Sequence, residues 1–387
     1  MKKKIVILGS TGSIGKNLID IIAKDKKNFE IILLSANKNY STLLNQAKKF
    51  KVKNLIITDK KSYEILQKKN KQKKYKIYNN FENLNKILKK RVDYTMSSII
   101  GIDGLIPTID VIKHTKKIAI ANKEAIICGW NLISKELKKN KTQFIPVDSE
   151  HFSIWYGLKN NEDIIDQIIL TASGGPFINL PINKFKKIKL KQALKHPNWR
   201  MGKKITIDSA TMMNKVFEVI EAKKIFNVNY NKISIITHPN SYVHAIIKFK
   251  NGLIKIIVHE TNMKIPIFNT LYSGIKNIKI PSKKIDFQKL NDLNFNSIDK
   301  NKFPIVNLLN TLPERNSLFE TLVVSFNDEL VNAFLNKKIK FTDISTKMIN
   351  FIKKREFKKF KFIQPKKIQD IVELSKYVRS KINLKSI

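Results

Sequence analysis

The stretch KKIVILGSTGSIG, residues 3–15, decides how the N-terminal half of this chain is read. Four apolar residues, Ile5 to Leu8, run into Gly9, after which apolar residues recur at Ile14, Leu18, Ile19 and Ile22, the spacing of one helix face. A strand that ends in a glycine turn and opens a helix is a phosphate-binding corner. Gly9, Gly12 and Gly15 permit a tight turn and a close approach of backbone N–H groups to a pyrophosphate. A bland strand-to-helix turn shares the glycines, but the position directly after the first strand favours a dinucleotide. EIILLSA (30–36), NLIITD (54–59), TMSSIIG (95–101) and KIAIANKE (117–124) continue the alternation with helical pattern. The fold class expected for residues 1–150 is therefore α/β, a Rossmann-like doubly wound parallel sheet.

The end of the second strand selects the nucleotide. An NAD site usually places Asp or Glu there to accept from the ribose 2′-hydroxyl. Here LLSANKN (33–39) supplies Ala36, Asn37, Lys38 and Asn39 and no acid, which favours NADPH. The missing carboxylate weighs more than Lys38, because lysine is abundant everywhere in the chain.

At 387 residues the chain exceeds what one core usually supports, so two or three domains are expected. No apolar run approaches a membrane span, and the N-terminus lacks the cleavage pattern of a signal peptide, so a soluble protein without a membrane partner is expected. Cys128, the sole cysteine, excludes an intrachain disulfide and a thiolate metal cluster and suits a reducing, cytoplasmic setting. The formal net charge is +43, from 74 Lys and Arg against 31 Asp and Glu. Only five of the basic residues are Arg, and the lysines are scattered among Asn and Ile, as base-composition bias would produce. A polyanion-binding surface is the alternative; no specific nucleic-acid partner is expected, although the charge would draw a phosphorylated substrate.

After Asp148 the texture changes. ITIDSATMMNKVFEVIEAKKIF (205–226) reads as a strand and then a helix from about Ala210 to Phe226, and ISIITHPNSYVHAIIKFKNGLIKIIVHE (233–260) as strands with an Asn251-Gly252 hairpin turn. A second α/β domain over 151–275, a linker over 276–299 and a helical C-terminal domain over 300–387 follow.

The segment IPVDSEHFSIW (145–155) places Asp148 and Glu150 two apart in an acid-poor chain. If extended, both face one side and His151 the other. Glu218, three residues from Lys215 on a helix face, is a third carboxylate; Glu221 could replace it but reads better as solvated. Three carboxylates without a cysteine cluster suit Mg²⁺ or Mn²⁺. Ser173 before Gly174-Gly175, and Ser209, Asn214 and Lys215 around a helix start, together make a phosphate cradle. In HPNWRMG (196–202), Trp199 is either a lid over a ligand or a core anchor, and His238 and His244 flank PNSYV.

Over nearly its full length the chain resembles the 1-deoxy-D-xylulose 5-phosphate reductoisomerase family. The motifs are GSTGSIG, ANKE (121–124), PVDSEH (146–151), SGGPF (173–177), HPNW (196–199) and DSATMMNK (208–215). The resemblance implies Asp148, Glu150 and Glu218 as metal ligands, with Ser173, Ser209, Asn214 and Lys215 on the substrate phosphate. It places Ser149, Lys123, His151, His196, Ser241 and His244 near the reacting backbone, and Trp199 and Met201 on a mobile flap. Nucleotide contacts are implied for Gly9, Ser10, Thr11, Gly12, Ser13, Ile14, Gly15, Ala36, Asn37, Lys38, Asn39, Asn122, Lys123, Glu124 and Gly202. It further implies a homodimer and a two-stage reaction: skeletal rearrangement of the ketose phosphate, then reduction of the bound aldehyde by NADPH to 2-C-methyl-D-erythritol 4-phosphate. The chain departs from the family at Val216 (usually Gly), Asn240 (usually Gln) and the segment Ser325-Phe326-Asn327-Asp328. Three rival readings are a semialdehyde-type dehydrogenase using Cys128, a basic nucleic-acid binder and a non-catalytic NADP sensor.

Overall fold

The computed structural model describes residues 1–159, 163–199, 201–275, 280 and 284–381. The chain divides into two compact units, residues 1–125, 132–148 and 263–281 in one, and 126–131, 149–262 and 282–387 in the other.

In the first unit, β1 (Lys3–Leu8), β2 (Phe29–Ala36), β3 (Asn54–Ile57), β4 (Lys76–Tyr78), β5 (Tyr94–Ser97), β6 (Lys117–Ile120) and β7 (Gln143–Pro146) form a parallel sheet in the order β4-β3-β2-β1-β5-β6-β7. Ile5, Val6, Ile7 and Leu8 are all fully buried, as expected of a parallel strand covered on both faces. Of the positions its periodicity marked, helix Ser13–Lys24 leaves Ile14 half-buried and buries Leu18, Ile19 and Ile22, together with Ile21. Each such side chain contributes roughly 1.5–3 kcal/mol by leaving water. Strand order reverses between β1 and β5, and their carboxyl ends flank the crevice where open α/β sheets take ligands. Helix Lys264–Leu271 also packs on this core through Ile267 and Leu271, although the linear pattern had grouped it with 151–275.

The second unit holds a mixed sheet of β8 (Ile165–Ala172), β9 (Ile233–Thr237), β10 (Val243–Phe249), β11 (Ile254–Val258) and β12 (Asn296–Ser297), ordered β11-β10-β8-β9-β12. The β10–β11 hairpin turns at Asn251-Gly252, with Gly252 at φ +88°. Helix Met213–Phe226 seats Val219 and Ala222 on the sheet face formed by Ile168, Leu170, Ala245 and Ile247. C-terminal helices Phe319–Leu335, Phe341–Lys353 and Ile368–Lys381 match the helical expectation. Among the described residues no helix is long and apolar enough to cross a membrane.

Two local expectations are corrected. ITIDSAT is not a strand but part of helix Lys203–Thr211, and that helix ends at Met212 (φ +69°) before Met213–Phe226 begins, so no single helix starts at Ala210. The β-branched run imitates a strand, yet packing outweighs propensity: Ile207, Ala210 and Thr211 are buried at helical spacing, and Asp208 accepts from Asn327 Nδ2 at 2.8 Å.

Candidate active site

The glycine corner is held by the first unit's own atoms. Gly9 adopts φ +82°, and a Cβ there would lie 2.7 Å from the Ser98 carbonyl oxygen; a Cβ on Gly15 would lie 2.5 Å from Gly9 O and Ser10 Cα. Gly12, at φ −76°, has only a 3.4 Å contact to Gly9 O, so folding does not require its missing side chain. Gly9 N–H donates to Ser35 Oγ (3.0 Å) and Ser10 N–H to Ser35 O (2.8 Å). The Ser10 hydroxyl is buried and donates to Gln46 Oε1 (2.7 Å) while Gln46 Nε2 donates to the Ser10 carbonyl (2.9 Å), so Ser10 shapes the turn from within, and Gln46 is a supporting residue the motif gave no hint of. Thr11 and Ile14 are half-buried and Ser13 exposed on the same turn.

Around β2, Ala36 is buried, Lys38 is exposed, Asn37 donates to Thr58 Oγ1 (2.8 Å), and Asn39 caps helix Tyr40–Phe50 by accepting from Thr42 N–H. Asn122 caps helix Lys123–Lys139, accepting from Ala125 N–H (2.8 Å) while donating to the carbonyls of Ile99 and Gly101. Its amide is thus occupied in joining the loops after β5 and β6. Glu124 and Cys128 are buried on the same helix. Lys123 Nζ lies 2.8 Å from Asp148 Oδ2, and both side chains are largely shielded.

Asp148 ends the 132–148 segment of the first unit and Ser149 begins the 149–262 segment of the second. The segment is not extended as expected: Ser149–Gly157 is a helix, and Glu150 lies in its first turn. One oxygen from each of Asp148, Glu150 and Glu218 lies within 4.8 Å of the others. Glu218 is 1% exposed. Lys215 Nζ donates to Glu150 Oε1 (3.0 Å) and to Glu218 Oε2, Asn214 Nδ2 donates to Glu218 Oε1, and Ser149 Oγ donates to Glu150 Oε2 (2.6 Å). Burial would lower the Lys215 pKa, but the Glu150 and Glu218 carboxylates outweigh it and hold the ammonium above its ordinary value. An all-oxygen, anionic donor set of this kind fits a hard dication.

Glu221, expected to be solvated, is 1% exposed. It faces His151 Nδ1 at 3.9 Å, while His151 Nε2 bonds the Glu218 carbonyl at 2.9 Å. His151 therefore braces the helix turn that carries Glu218.

The cradle converges on an imidazole. His196 Nδ1 accepts from the N–H groups of Asn198 (3.1 Å) and Trp199 (3.0 Å), so its proton is on Nε2, which lies 3.1 Å from both Ser173 Oγ and Ser209 Oγ. Gly175 N–H also reaches Ser173 Oγ (3.1 Å). Either hydroxyl can accept from Nε2 and still donate to an anion. Asn214 and Lys215 occupy the first turn of helix Met213–Phe226 as expected, but Ser209 stands near the end of the preceding helix. Gly202 is the N-cap of that preceding helix, next to half-buried Met201. Trp199 is half-buried and meets the His244 ring edge-on at 6.1 Å; Asn198 donates to Ser241 Oγ at 2.9 Å.

Desolvation pushes His196 down to about 4, and desolvation followed by the neighbouring His259 pushes His244 down to about 3, both from 6.5. These folded-state values lie below the unfolded value, so as pH falls the unfolded chain takes up protons first. Stability is expected to be unaffected by either group above about pH 7 and to decline from pH 6.5 toward 4. Urea midpoints at pH 7 and pH 5 check this. His196→Asn should shrink the difference, and equal midpoints in the unaltered protein would contradict it.

The family model described as 1-deoxy-D-xylulose 5-phosphate reductoisomerase matches residues 5–129, that of its C-terminal domain matches 144–226, and one described as DXP reductoisomerase C-terminal domain matches 259–381. The 1-deoxy-D-xylulose 5-phosphate reductoisomerase of Pelagibacter ubique (strain HTCC1062) is 58% identical over 388 residues, covering 100% of both chains. This chain belongs to the 1-deoxy-D-xylulose 5-phosphate reductoisomerase family. The relative from Clostridium kluyveri (strain NBRC 12016) is 36% identical, covering 98% of this chain and 100% of its own. Two solved reductoisomerases share the fold: that of Zymomonas mobilis in complex with NADPH (TM-score 0.86, 30% identity, 98% of each chain), and one in complex with NADPH, fosmidomycin and magnesium (TM-score 0.90, 29% identity, 98% of this chain and 97% of that one). Membership makes the chain an oxidoreductase and isomerase of isoprenoid precursor synthesis, converting 1-deoxy-D-xylulose 5-phosphate to 2-C-methyl-D-erythritol 4-phosphate with NADPH and a divalent metal.

Proposed function

We propose that this reductoisomerase holds Mg²⁺ or Mn²⁺ on Asp148, Glu150 and Glu218 and the substrate phosphate on Ser173, Ser209, Asn214 and Lys215. The observation that carries the reading is the mutual approach of the three carboxylate oxygens within 4.8 Å. When bound, the dication polarises the substrate carbonyl and offsets negative charge on oxygen, and the nicotinamide supplies the hydride. The chain's own residues bind and orient. The Ser173 and Ser209 hydroxyls, aligned by His196, donate to the phosphate, and this remote contact supplies binding energy where no bond breaks. Lys215 retains its proton and contributes a permanent positive charge. Lys123, held 2.8 Å from Asp148, and His151, anchored on the Glu218 carbonyl, position those two carboxylates. Trp199, Met201, Ser241 and His244 contact the sugar backbone in this reading.

The nucleotide rests on the Gly9–Gly15 turn, with Ala36–Asn39, Asn122–Glu124 and Gly202 as further contacts, and the absence of a carboxylate after β2 supports NADPH over NADH. The functional division is a nucleotide-binding segment 1–150, joined by residues 263–275, which pack on its core, a catalytic segment 151–262 whose sheet also takes in Asn296–Ser297, and a helical segment 300–387. Consumption of NADPH with 1-deoxy-D-xylulose 5-phosphate, followed at 340 nm with Mg²⁺ or Mn²⁺ and again after chelation, tests the reading. Cofactor binding without consumption would sink it.

A homodimer belongs to the same reading, and the edge of the second sheet supports it. On β11, Ile254, Ile256 and Val258 point the same way and are 58%, 47% and 36% exposed. An apolar row on an edge strand attracts another copy of itself. Ile256→Lys is expected to shift the protein to monomer in size-exclusion chromatography with light scattering; an unchanged dimer would place the interface elsewhere.

A further inference from the structure

One imidazole outside the residues named for the reaction touches them: His259, the residue after β11. Its ring stacks on that of His244, with centroids 3.7 Å apart and planes 17° from parallel. Its backbone carbonyl accepts from His244 Nε2 at 3.1 Å. That contact puts the His244 proton on Nε2 and leaves Nδ1 as the ring's acceptor. His259 is itself held in place. Its Nδ1 donates to the Glu260 carbonyl (2.8 Å), Phe152 meets its ring at 6.5 Å and 65°, and the Glu260 carboxylate is tied to Lys289 at 3.0 Å. Trp199 also meets the His244 ring, so the orientation of that ring depends on Trp199 and on His259.

We propose that His259 is a positioning residue for the reaction, whose ring and carbonyl together hold His244 in one orientation and one tautomer so that Nδ1 accepts from a hydroxyl of the phosphorylated sugar. This rests on the placement of His244 at the substrate. Burial disfavours a proton on both rings, and the neighbouring His259 disfavours it further on His244. A mobile or tautomerically mixed His244 would accept from the substrate only part of the time, and the cost falls on substrate affinity before chemistry.

The test uses the full-length protein with His259→Ala, which removes the ring, and His259→Phe, which restores a flat face without a titratable group. With NADPH and Mg²⁺ saturating, the Ala variant is expected to raise KM for 1-deoxy-D-xylulose 5-phosphate about tenfold with kcat within about twofold, and the Phe variant to recover most of the loss. Imidazole ¹⁵N NMR reads the same idea without turnover. His244 should be a single Nε2–H tautomer in the unaltered protein, broadened or mixed in the Ala variant, and single again in the Phe variant. Unchanged His244 resonances in the Ala variant overturn the proposal, as does a loss shared equally by KM for NADPH. If the NMR behaves as expected and KM does not move, the substrate placement of His244 is what fails.

Discussion

Glu218→Gln is expected to lower kcat by on the order of a thousandfold while leaving NADPH binding intact. Glu218 is nearly fully buried, and its oxygens meet Asn214, Lys215 and the Asp148–Glu150 group. Gln preserves volume and one acceptor but removes the charge, so a dication loses a third of its carboxylates. A bound metal supplies several kcal/mol of charge stabilisation to the reacting oxygens, and each tenfold in rate corresponds to about 1.4 kcal/mol. Calorimetry should show weakened Mn²⁺ binding, and fluorescence quenching an unchanged NADPH affinity, because the nucleotide turn lies in the other unit. Turnover and Mn²⁺ affinity both within tenfold of the unaltered protein would remove Glu218 from the ligand set.

Gly15→Val should do the reverse, abolishing nucleotide binding through the fold. The added Cβ would meet Gly9 O and Ser10 Cα at 2.5 Å, and these are backbone atoms that cannot turn aside. The turn must open, which costs about 3 kcal/mol in overpacking. It also misaligns the N–H groups at the start of helix Ser13–Lys24, so NADPH affinity should fall by at least about a hundredfold. Gly12→Ala separates the two effects. With φ −76° and only a 3.4 Å contact it should leave the melting temperature nearly unchanged, yet weaken NADPH if the nucleotide approaches the turn as closely as proposed. A Gly15→Val protein that melts normally and binds NADPH normally would remove the assignment.

Much of this was legible along the chain. The buried run Ile5–Leu8, the glycine turn and the spacing of Leu18, Ile19 and Ile22 describe local geometry, and the parallel sheet follows because a strand-turn-helix repeat closes no other way. The hairpin at Asn251-Gly252 was equally plain. ITIDSAT misled because a short β-branched run carries no helix or strand signature independent of what covers it, and Glu221 misled because solvent exposure is a property of the packed molecule. Gln46 and His259 carried no signal at all, since they act by touching residues 36 and 15 positions away in the chain.

Residue type and spacing by themselves determined the nucleotide fold, the oxygen-only chemistry expected of a cation site and the motifs that mark the family. Tertiary structure alone decided that Asp148, Glu150 and Glu218 converge, that Lys215 stays charged beside two of them, and that His196 points its proton at two serines. The physical reason is range: dihedral preference and hydrophobic periodicity act over a few residues, whereas charge, hydrogen bonding and desolvation act on whatever the folded chain brings within a few ångströms.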